Sequence, residues 1–149
     1  MIYIEPTGGL ANRMRAFASG ISISKELNTE LICIWAENGE LYAHFEEIFE
    51  EIDGIEFRKK IKKYSYLKFS NQSNLYKKIF AKIINKLIGI DYYLKEKDIL
   101  KHSPENRCEF IIKEAKKHKN VYLKTCEQYG SIENELKHFK PIEKNHRAN

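Results

Sequence analysis

The first 35 residues constrain the fold more strongly than any other part of this chain. Residues 2–4 are an apolar run that predicts a strand, and the proline and paired glycines of residues 5–9 end it. Apolar residues recur at helical spacing over residues 11–27, and residues 31–35 form a continuous apolar run typical of a buried parallel strand. A strand, a helix and a second strand this close together form a βαβ unit, which predicts an α/β fold with a parallel sheet.

The middle of the chain predicts further elements of both kinds. Residues 41–52 place five apolar side chains on one helical face and predict a second helix, and residues 55–57 predict a third strand. Residues 74–87 predict an amphipathic helix, because their apolar residues recur at helical spacing and Gly89 follows its end.

The last third of the chain adds two helices and a strand. Ser103, Pro104 and Glu105 are typical of a helix start and predict a helix that continues to His118. Residues 121–123 predict a strand, and residues 132–139 predict a short helix ended by Pro141. We therefore expect one Rossmann-like domain over residues 1–142, with parallel strands and flanking helices, followed by a polar tail over residues 143–149.

Composition limits the class of protein and its surroundings. The chain has 149 residues, a net charge of +5 and a pI of about 9.0, which favours anionic partners without choosing among them. Its three cysteines lack the spacing of a disulfide framework or a zinc site, so a reducing, cytoplasmic setting fits best, with Cys33 as a small buried apolar residue. Neither a signal peptide nor a membrane-spanning apolar run is expected, although peripheral membrane contact is compatible with the sequence.

The turn after the first strand carries the candidate binding residues. Gly8 and Gly9 permit backbone conformations closed to other residues, and the N-terminus of the following helix favours an anion. Arg13 and Arg15 add positive charge, and Asn12 offers both a donor and an acceptor to a sugar or a diphosphate. The turn matches neither the GxGxxG dinucleotide pattern nor a Walker A loop, so a tight turn bearing two surface arginines remains an alternative.

The run Gly-Gly-Leu-Ala-Asn-Arg-Met at residues 8–14 resembles the N-terminal motif of fucosyltransferase-like glycosyltransferases, the group of α-1,2-, α-1,6- and protein O-fucosyltransferases. Residues 37–49 are similar to the segment that follows the second strand in bacterial members. The resemblance is strong over residues 2–49 and faint beyond, where residues 121–123 and 139–141 occupy the places of a similar strand and Phe-x-Pro turn.

This resemblance implies a GT-B enzyme that transfers fucose from GDP-fucose to a glycan hydroxyl, with inversion and without a metal or other cofactor. Asn12 would lie near the donor, Gly8 and Gly9 would shape the loop, and Arg13 stands where many members have Gln. The family's second motif, His-x-Arg-Arg-x-Asp, does not occur in the sequence, and His146-Arg147-Ala148-Asn149 only echoes it. We therefore expect a truncated, acceptor-side half whose donor-binding domain is missing, with a nucleotide sugar and a glycan acceptor as the complete enzyme's substrates.

Other candidate features favour ordinary surface roles. The five histidines have no ligand spacing and predict no metal site, and the glutamate pairs at residues 46–47 and 50–51 fall on the polar face of the predicted second helix. The basic and aromatic residues 59–69 have no RNA-binding signature, so nucleic acid is not expected. Lysines around the apolar stripe of residues 74–87 suit either core packing or contact with an anionic membrane. The alternative to an enzyme is a non-catalytic α/β module that binds an anion or a protein partner.

Overall fold

The computed structural model describes residues 1–59, 74–87 and 89–142, and these form a parallel β-sheet flanked by helices. The strands are β1 (Ile2–Pro6), β2 (Leu31–Ile34), β3 (Ile55–Arg58), β4 (Tyr92–Leu94) and β5 (Val121–Thr125). The helices are α1 (Leu10–Glu26), α2 (Leu75–Leu87), α3 (Glu96–Ile99), α4 (Pro104–Ala115) and α5 (Glu133–Leu136), and a 3₁₀ turn spans Phe45–Glu47. The predicted α/β class with a parallel sheet is confirmed.

The sheet has the strand order β3-β2-β1-β5-β4, so β1 lies at its centre. Ile2 pairs in parallel with Leu31 on one side and with Val121 on the other. The chain therefore moves outward from β1 through β2 to β3, crosses to the opposite edge for β4, and returns to β5 beside β1. The carboxyl ends of β1 and β5 therefore lie side by side.

Alternation along β1 divides its side chains between two hydrophobic clusters. Ile2 and Ile4 belong to the larger cluster, which also contains residues of α1, whereas Tyr3 belongs to a smaller cluster on the other face of the sheet. Helix α1 lies close to β1 at Gly20, because a Cβ atom at that position would be 2.8 Å from Ile4 Cδ1. This close approach fixes where α1 begins relative to the end of β1.

Aromatic rings fill the part of the larger cluster that packs on Phe17, in the middle of α1. The Phe45 ring stacks on Phe57 with centroids 4.1 Å apart and meets Trp35 edge-on at 5.3 Å. Phe17 of α1 makes edge contacts with Phe45 at 5.9 Å and with Phe139 at 5.6 Å. The segment between β2 and β3 is therefore anchored in the core by aromatic packing.

The prediction of a helix over residues 41–52 is wrong, since the segment contains only the 3₁₀ turn Phe45–Glu47. Its backbone groups bond elsewhere: Asn38 and Leu41 form an antiparallel bridge, and Phe49 forms another with Pro141. Ile142 N–H also donates to Ile48 O at 3.0 Å. The apolar spacing correctly predicted that Phe45 and Phe49 are buried. The conformation of the segment was instead determined by hydrogen bonds to backbone groups far away in the sequence.

Other predictions for this part of the chain are confirmed. The βαβ unit, the third strand and the helix over residues 74–87 are present, and Gly89 follows α2 with a φ of +81°. Cys33 is fully buried in β2, where desolvation raises the pKa of its thiol well above the usual value. The strand predicted at residues 121–123 is part of β5.

Towards the C-terminus the boundaries differ from the predictions. Helix α4 starts at Pro104 with Ser103 as its N-cap residue, as predicted, but it ends at Ala115 rather than His118. The short helix is limited to Glu133–Leu136, and the sequence patterns missed β4 and α3 altogether. Strand β4 has three residues and α3 has four, which is too short for a period to be recognised.

Three predictions fall wholly or partly outside the described residues. They concern the basic and aromatic segment beyond Lys59, the polar loop before Asn74, and the tail of residues 143–149. Within residues 1–59, 74–87 and 89–142, no helix combines the length and the apolar character that crossing a membrane requires.

Candidate functional site at the carboxyl end of the sheet

The carboxyl ends of β1 and β5 lie next to each other near the middle of the sheet. Pro6 at the end of β1 pairs with Thr125 at the end of β5, and Thr7 N–H donates to Thr125 O at 2.9 Å. In open parallel sheets, ligands bind in the crevice outside the carboxyl ends of the strands. The turn of residues 7–9 and the loop after Thr125 therefore flank the candidate site.

The two glycines of this turn have different structural roles. Gly8 has a φ of +84°, which disfavours any residue with a side chain, and a Cβ atom there would lie 3.0 Å from Asn12 Nδ2. Gly9 is the N-cap residue of α1 with an ordinary φ of −70°, and a Cβ atom on it would have no neighbour within 4 Å. The fold requires glycine at position 8, whereas at position 9 a small residue leaves open space beside the start of α1.

Arg13 is not a surface residue, and the interpretation of the turn as bearing two surface arginines is corrected here. Its side chain is 0% exposed, and its guanidinium donates from Nε to Gly8 O at 2.9 Å and from Nη1 to Ala36 O at 2.6 Å. The guanidinium also lies 5.3 Å from the centre of the Trp35 ring. Arg13 thus ties the glycine turn to the chain that leaves β2.

Arg15 and Asn12 lie together on the more accessible side of α1. Arg15 is exposed, Asn12 is half-buried, and Arg15 Nη2 donates to Asn12 Oδ1. The structure therefore brings four of the predicted site residues, Gly8, Gly9, Asn12 and Arg15, together at the carboxyl end of β1 and the start of α1. The positive charge that this turn offers to a ligand comes from Arg15 and the first turn of α1, which contains no acidic residue.

Sequence reasoning missed the polar residues on the β5 side of the site. Thr125 is buried, and its hydroxyl donates to Glu96 Oε1 at 2.5 Å and shares a hydrogen bond of 2.9 Å with the Tyr129 hydroxyl. Tyr129 N–H donates in turn to Ser19 Oγ of α1 at 2.9 Å. A signal was present, because polar residues follow the apolar strand 121–123 directly and parallel strands meet at their carboxyl ends.

A second missed residue is Glu5, on the opposite face of the sheet from the large cluster. Its carboxylate accepts from the Tyr122 hydroxyl at 2.5 Å and from Lys124 Nζ at 2.6 Å. The register of β1 and β5 causes this contact, since Glu5 is paired with Lys124. Glu5 is therefore a paired, largely buried carboxylate that lies three residues before Gly8 in the sequence.

Tyr129 supplies a pH-dependent prediction for this network. Desolvation raises the pKa of its hydroxyl from 10.0 to about 12, and the ring is 1% exposed. Between these values the unfolded chain releases the proton while the folded chain keeps it, so stability is lost as the pH rises. We expect the free energy of unfolding to fall by on the order of 2–3 kcal/mol through this window because of Tyr129.

Urea unfolding at pH values from 9 to 12 tests this expectation. Tyr129→Phe should show a smaller loss of stability across the window than the unsubstituted chain. Tyr42→Phe is the matched control, because the Tyr42 ring is 79% exposed, and its pH dependence should be that of the unsubstituted chain. Equal slopes for both variants would contradict the burial of the Tyr129 hydroxyl as the cause.

One histidine lies in a group with two carboxylates among the described residues. Glu37, His44 and Glu47 bring potential ligand atoms within 4.8 Å of one another. His44 Nε2 lies 2.8 Å from Glu37 Oε1, and the His44 backbone N–H donates to Glu47 Oε2 at 2.6 Å. The contact of the His44 imidazole with Glu37 and the cap of the 3₁₀ turn by Glu47 account for this proximity. The glutamate pairs at residues 46–47 and 50–51 are solvent-exposed, as predicted.

A cavity of about 270 Å³ lies at the opposite, amino end of β2 and β3. Its lining includes Ser24, Lys25, Asn28, Asp53 and His138. Lys25 forms an ion pair of 2.6 Å with the buried carboxylate of Glu135. Because parallel sheets bind ligands at their carboxyl ends, the glycine turn is the stronger candidate site.

The chain is an α/β protein with a parallel sheet and a glycine turn at the carboxyl end of its central strand. Comparisons with protein-family models, with curated proteins and with solved structures found no match.

Proposed function

We propose that this chain is a fucosyltransferase-like glycosyltransferase domain, in which the turn of residues 7–15 faces the diphosphate of GDP-fucose. The observation that supports this most is the geometry at Gly9. Its backbone does not need glycine, and the space beside it opens next to the N-terminus of α1 at the carboxyl end of the sheet. The N-terminus of a helix favours an anion such as a diphosphate. The resemblance of residues 8–14 to the fucosyltransferase motif is the reason for choosing a sugar nucleotide as the ligand.

The proposed reaction places specific demands on this turn. The acceptor hydroxyl attacks the anomeric carbon from the face opposite the leaving group, the bond from that carbon to the GDP oxygen breaks, and the hydroxyl proton passes to a base. Negative charge then grows on the departing diphosphate, and donors held in place stabilise it. The first N–H groups of α1 and the guanidinium of Arg15 are such donors, with Asn12 positioned beside Arg15.

In this proposal Arg13 holds the glycine turn in position and does not contact the ligand. By bonding to Gly8 O and Ala36 O, it holds the glycine turn and the loop after β2 in a single arrangement. A site held in place before the ligand arrives loses less entropy on binding. The predicted ligand-binding role of Arg13 itself is therefore replaced in the proposal by a positioning role.

Titration calorimetry with GDP-fucose, GDP and inorganic pyrophosphate tests the binding part of the proposal. Arg15→Ala removes a charged donor and should weaken GDP binding about tenfold or more. Gly9→Ala should leave the unfolding midpoint nearly unchanged, since its added methyl meets no atom within 4 Å, yet weaken GDP binding by obstructing the approach of the diphosphate. Lys113→Ala, an exposed change on α4, is the control and should bind GDP as the unsubstituted chain does.

Sugar transfer is tested separately, with radiolabelled GDP-fucose and a mixture of glycans. Because the sequence lacks the His-x-Arg-Arg-x-Asp pattern whose arginine contacts the donor in this family, we expect little or no transfer by the chain alone. Robust transfer would contradict the interpretation that a separate donor-binding half is needed. Absence of any GDP binding, with the turn intact, would remove the support for a sugar-nucleotide site.

The second candidate function is a non-catalytic α/β module that binds an anion or a protein. The same missing pattern favours it, because an anion needs only the helix N-terminus and Arg15. The two candidates differ in their ligand preference. A sugar-nucleotide site should bind GDP-fucose and GDP more tightly than pyrophosphate, whereas a general anion site should bind pyrophosphate as tightly as GDP.

A further inference from the structure

Helix α2 exposes a continuous apolar face, which is a feature that the glycine turn does not explain. Six of its large apolar and aromatic side chains are between 49% and 82% exposed, namely Leu75, Tyr76, Ile79, Phe80, Ile83 and Leu87. With 3.6 residues per turn, these six positions fall within an arc of about 140° along a helix about 20 Å long. Surface helices ordinarily turn such a stripe towards the core, so this face fits a binding partner.

The charged residues of α2 are all basic and border this apolar face. Lys78 and Lys82 lie outside one edge of the stripe and Lys86 lies just inside that edge, at successive i, i+4 positions, and all three are exposed. Lys77 lies beyond the other edge of the stripe, and residues 75–87 include no aspartate or glutamate. A partner of this face must therefore accept apolar side chains and supply negative charge at the rim.

Charge complementarity decides among the possible occupants. A second copy of α2 would bring the lysines of one helix against those of the other, which is unfavourable between like charges. The interface of an anionic bilayer satisfies both demands, because apolar side chains enter the boundary of the acyl chains while lysines extend their charged ends to the headgroups. We propose that α2 docks this chain on an anionic membrane surface, with the helix lying in the plane of the interface.

Vesicle sedimentation provides the test, with the full chain and two lipid compositions. The chain should sediment with vesicles containing 30% phosphatidylserine in phosphatidylcholine and remain largely unbound with phosphatidylcholine alone. Raising the salt concentration from 50 to 500 mM should release it, because screening weakens the attraction of the lysines to the surface. Equal binding to both vesicles, or no binding to either, would overturn the proposal.

Variants of α2 identify the helix as the docking element. Lys78→Gln combined with Lys82→Gln should weaken partitioning roughly thirtyfold, because each lysine near an anionic surface contributes on the order of 1 kcal/mol. The paired control, Lys113→Gln with Lys137→Gln, removes the same charge from exposed positions on other elements and should change partitioning only slightly. Equal losses in both pairs would show a general charge effect and overturn the assignment to α2.

A substitution in the apolar face completes the test. Ile83→Glu should reduce vesicle binding at least tenfold, while Tyr42→Glu, another exposed apolar-to-acidic change, should have the smaller effect of one added charge. Circular dichroism should show the same helical content for both variants, since glutamate is a good helix former. If sedimentation equilibrium instead shows a dimer that Ile83→Glu dissociates, and vesicle binding is unchanged, the occupant is a second copy and the membrane proposal fails.

Discussion

Arg13→Ala is expected to lower the free energy of unfolding by about 3–5 kcal/mol. The substitution removes a fully buried guanidinium and leaves Gly8 O and Ala36 O without the donors that now lie 2.9 and 2.6 Å away. It also creates a cavity beside the Trp35 ring, with which the guanidinium makes a cation–π contact. Urea unfolding followed by circular dichroism measures the change.

Two further variants separate the causes of this effect. Arg15→Ala removes the neighbouring exposed arginine and should change the free energy of unfolding by no more than about 0.5 kcal/mol. Arg13→Lys keeps a positive charge but lacks the planar fork that reaches two carbonyl groups, so it should recover only part of the loss. If Arg13→Ala is as stable as Arg15→Ala, the guanidinium does not hold the turn as the structure indicates.

Phe45→Ala is expected to destabilise the fold by about 3–5 kcal/mol, a loss typical of a large aromatic side chain removed from a packed core. Phe45 is 2% exposed and stacks on Phe57 of β3, while its edge contacts reach Trp35 next to β2. Its removal should therefore loosen the segment between β2 and β3. Thermal and urea unfolding measure the loss of stability, and hydrogen exchange in that segment should accelerate.

The control for this prediction lies three residues earlier. Tyr42→Ala removes an aromatic ring that is 79% exposed and should change the free energy of unfolding by about 0.5 kcal/mol or less. A small effect of Phe45→Ala, comparable to that of Tyr42→Ala, would contradict the packing described here.

The contrast between residues 10–26 and residues 41–52 shows what an apolar period measures. Both segments repeat apolar residues at helical spacing, and both bury members of that repeat, such as Phe17 and Phe45. In α1 the backbone bonds within the segment, whereas Ile48 O accepts from Ile142 N–H and Phe49 bridges Pro141. The spacing predicts burial, but the conformation depends on partners almost a hundred residues away, which a local pattern cannot reveal.

The candidate site shows the same division. The glycines, Asn12 and Arg15 could be selected from sequence because a strand, a glycine turn and a helix are adjacent in the chain. The burial of Arg13 could not be predicted, since its acceptors include Ala36, which lies beyond the whole of α1. Glu96, Thr125 and Tyr129 were missed because the pairing of β1 with β5 brings them beside the turn.

By itself the sequence determined the α/β class, the opening βαβ unit and the place of the glycine turn, because these depend on contacts between neighbours in the chain. Only the tertiary structure decided the strand order, the conformation of residues 41–52 and which of the two arginines is buried. Arg13 is buried and hydrogen-bonded while Arg15 is accessible, because the strand order places Trp35 and Ala36 over one side of α1. The exposed face of α2 belongs to the second group as well, since its apolar period alone would equally suit a helix packed on the core.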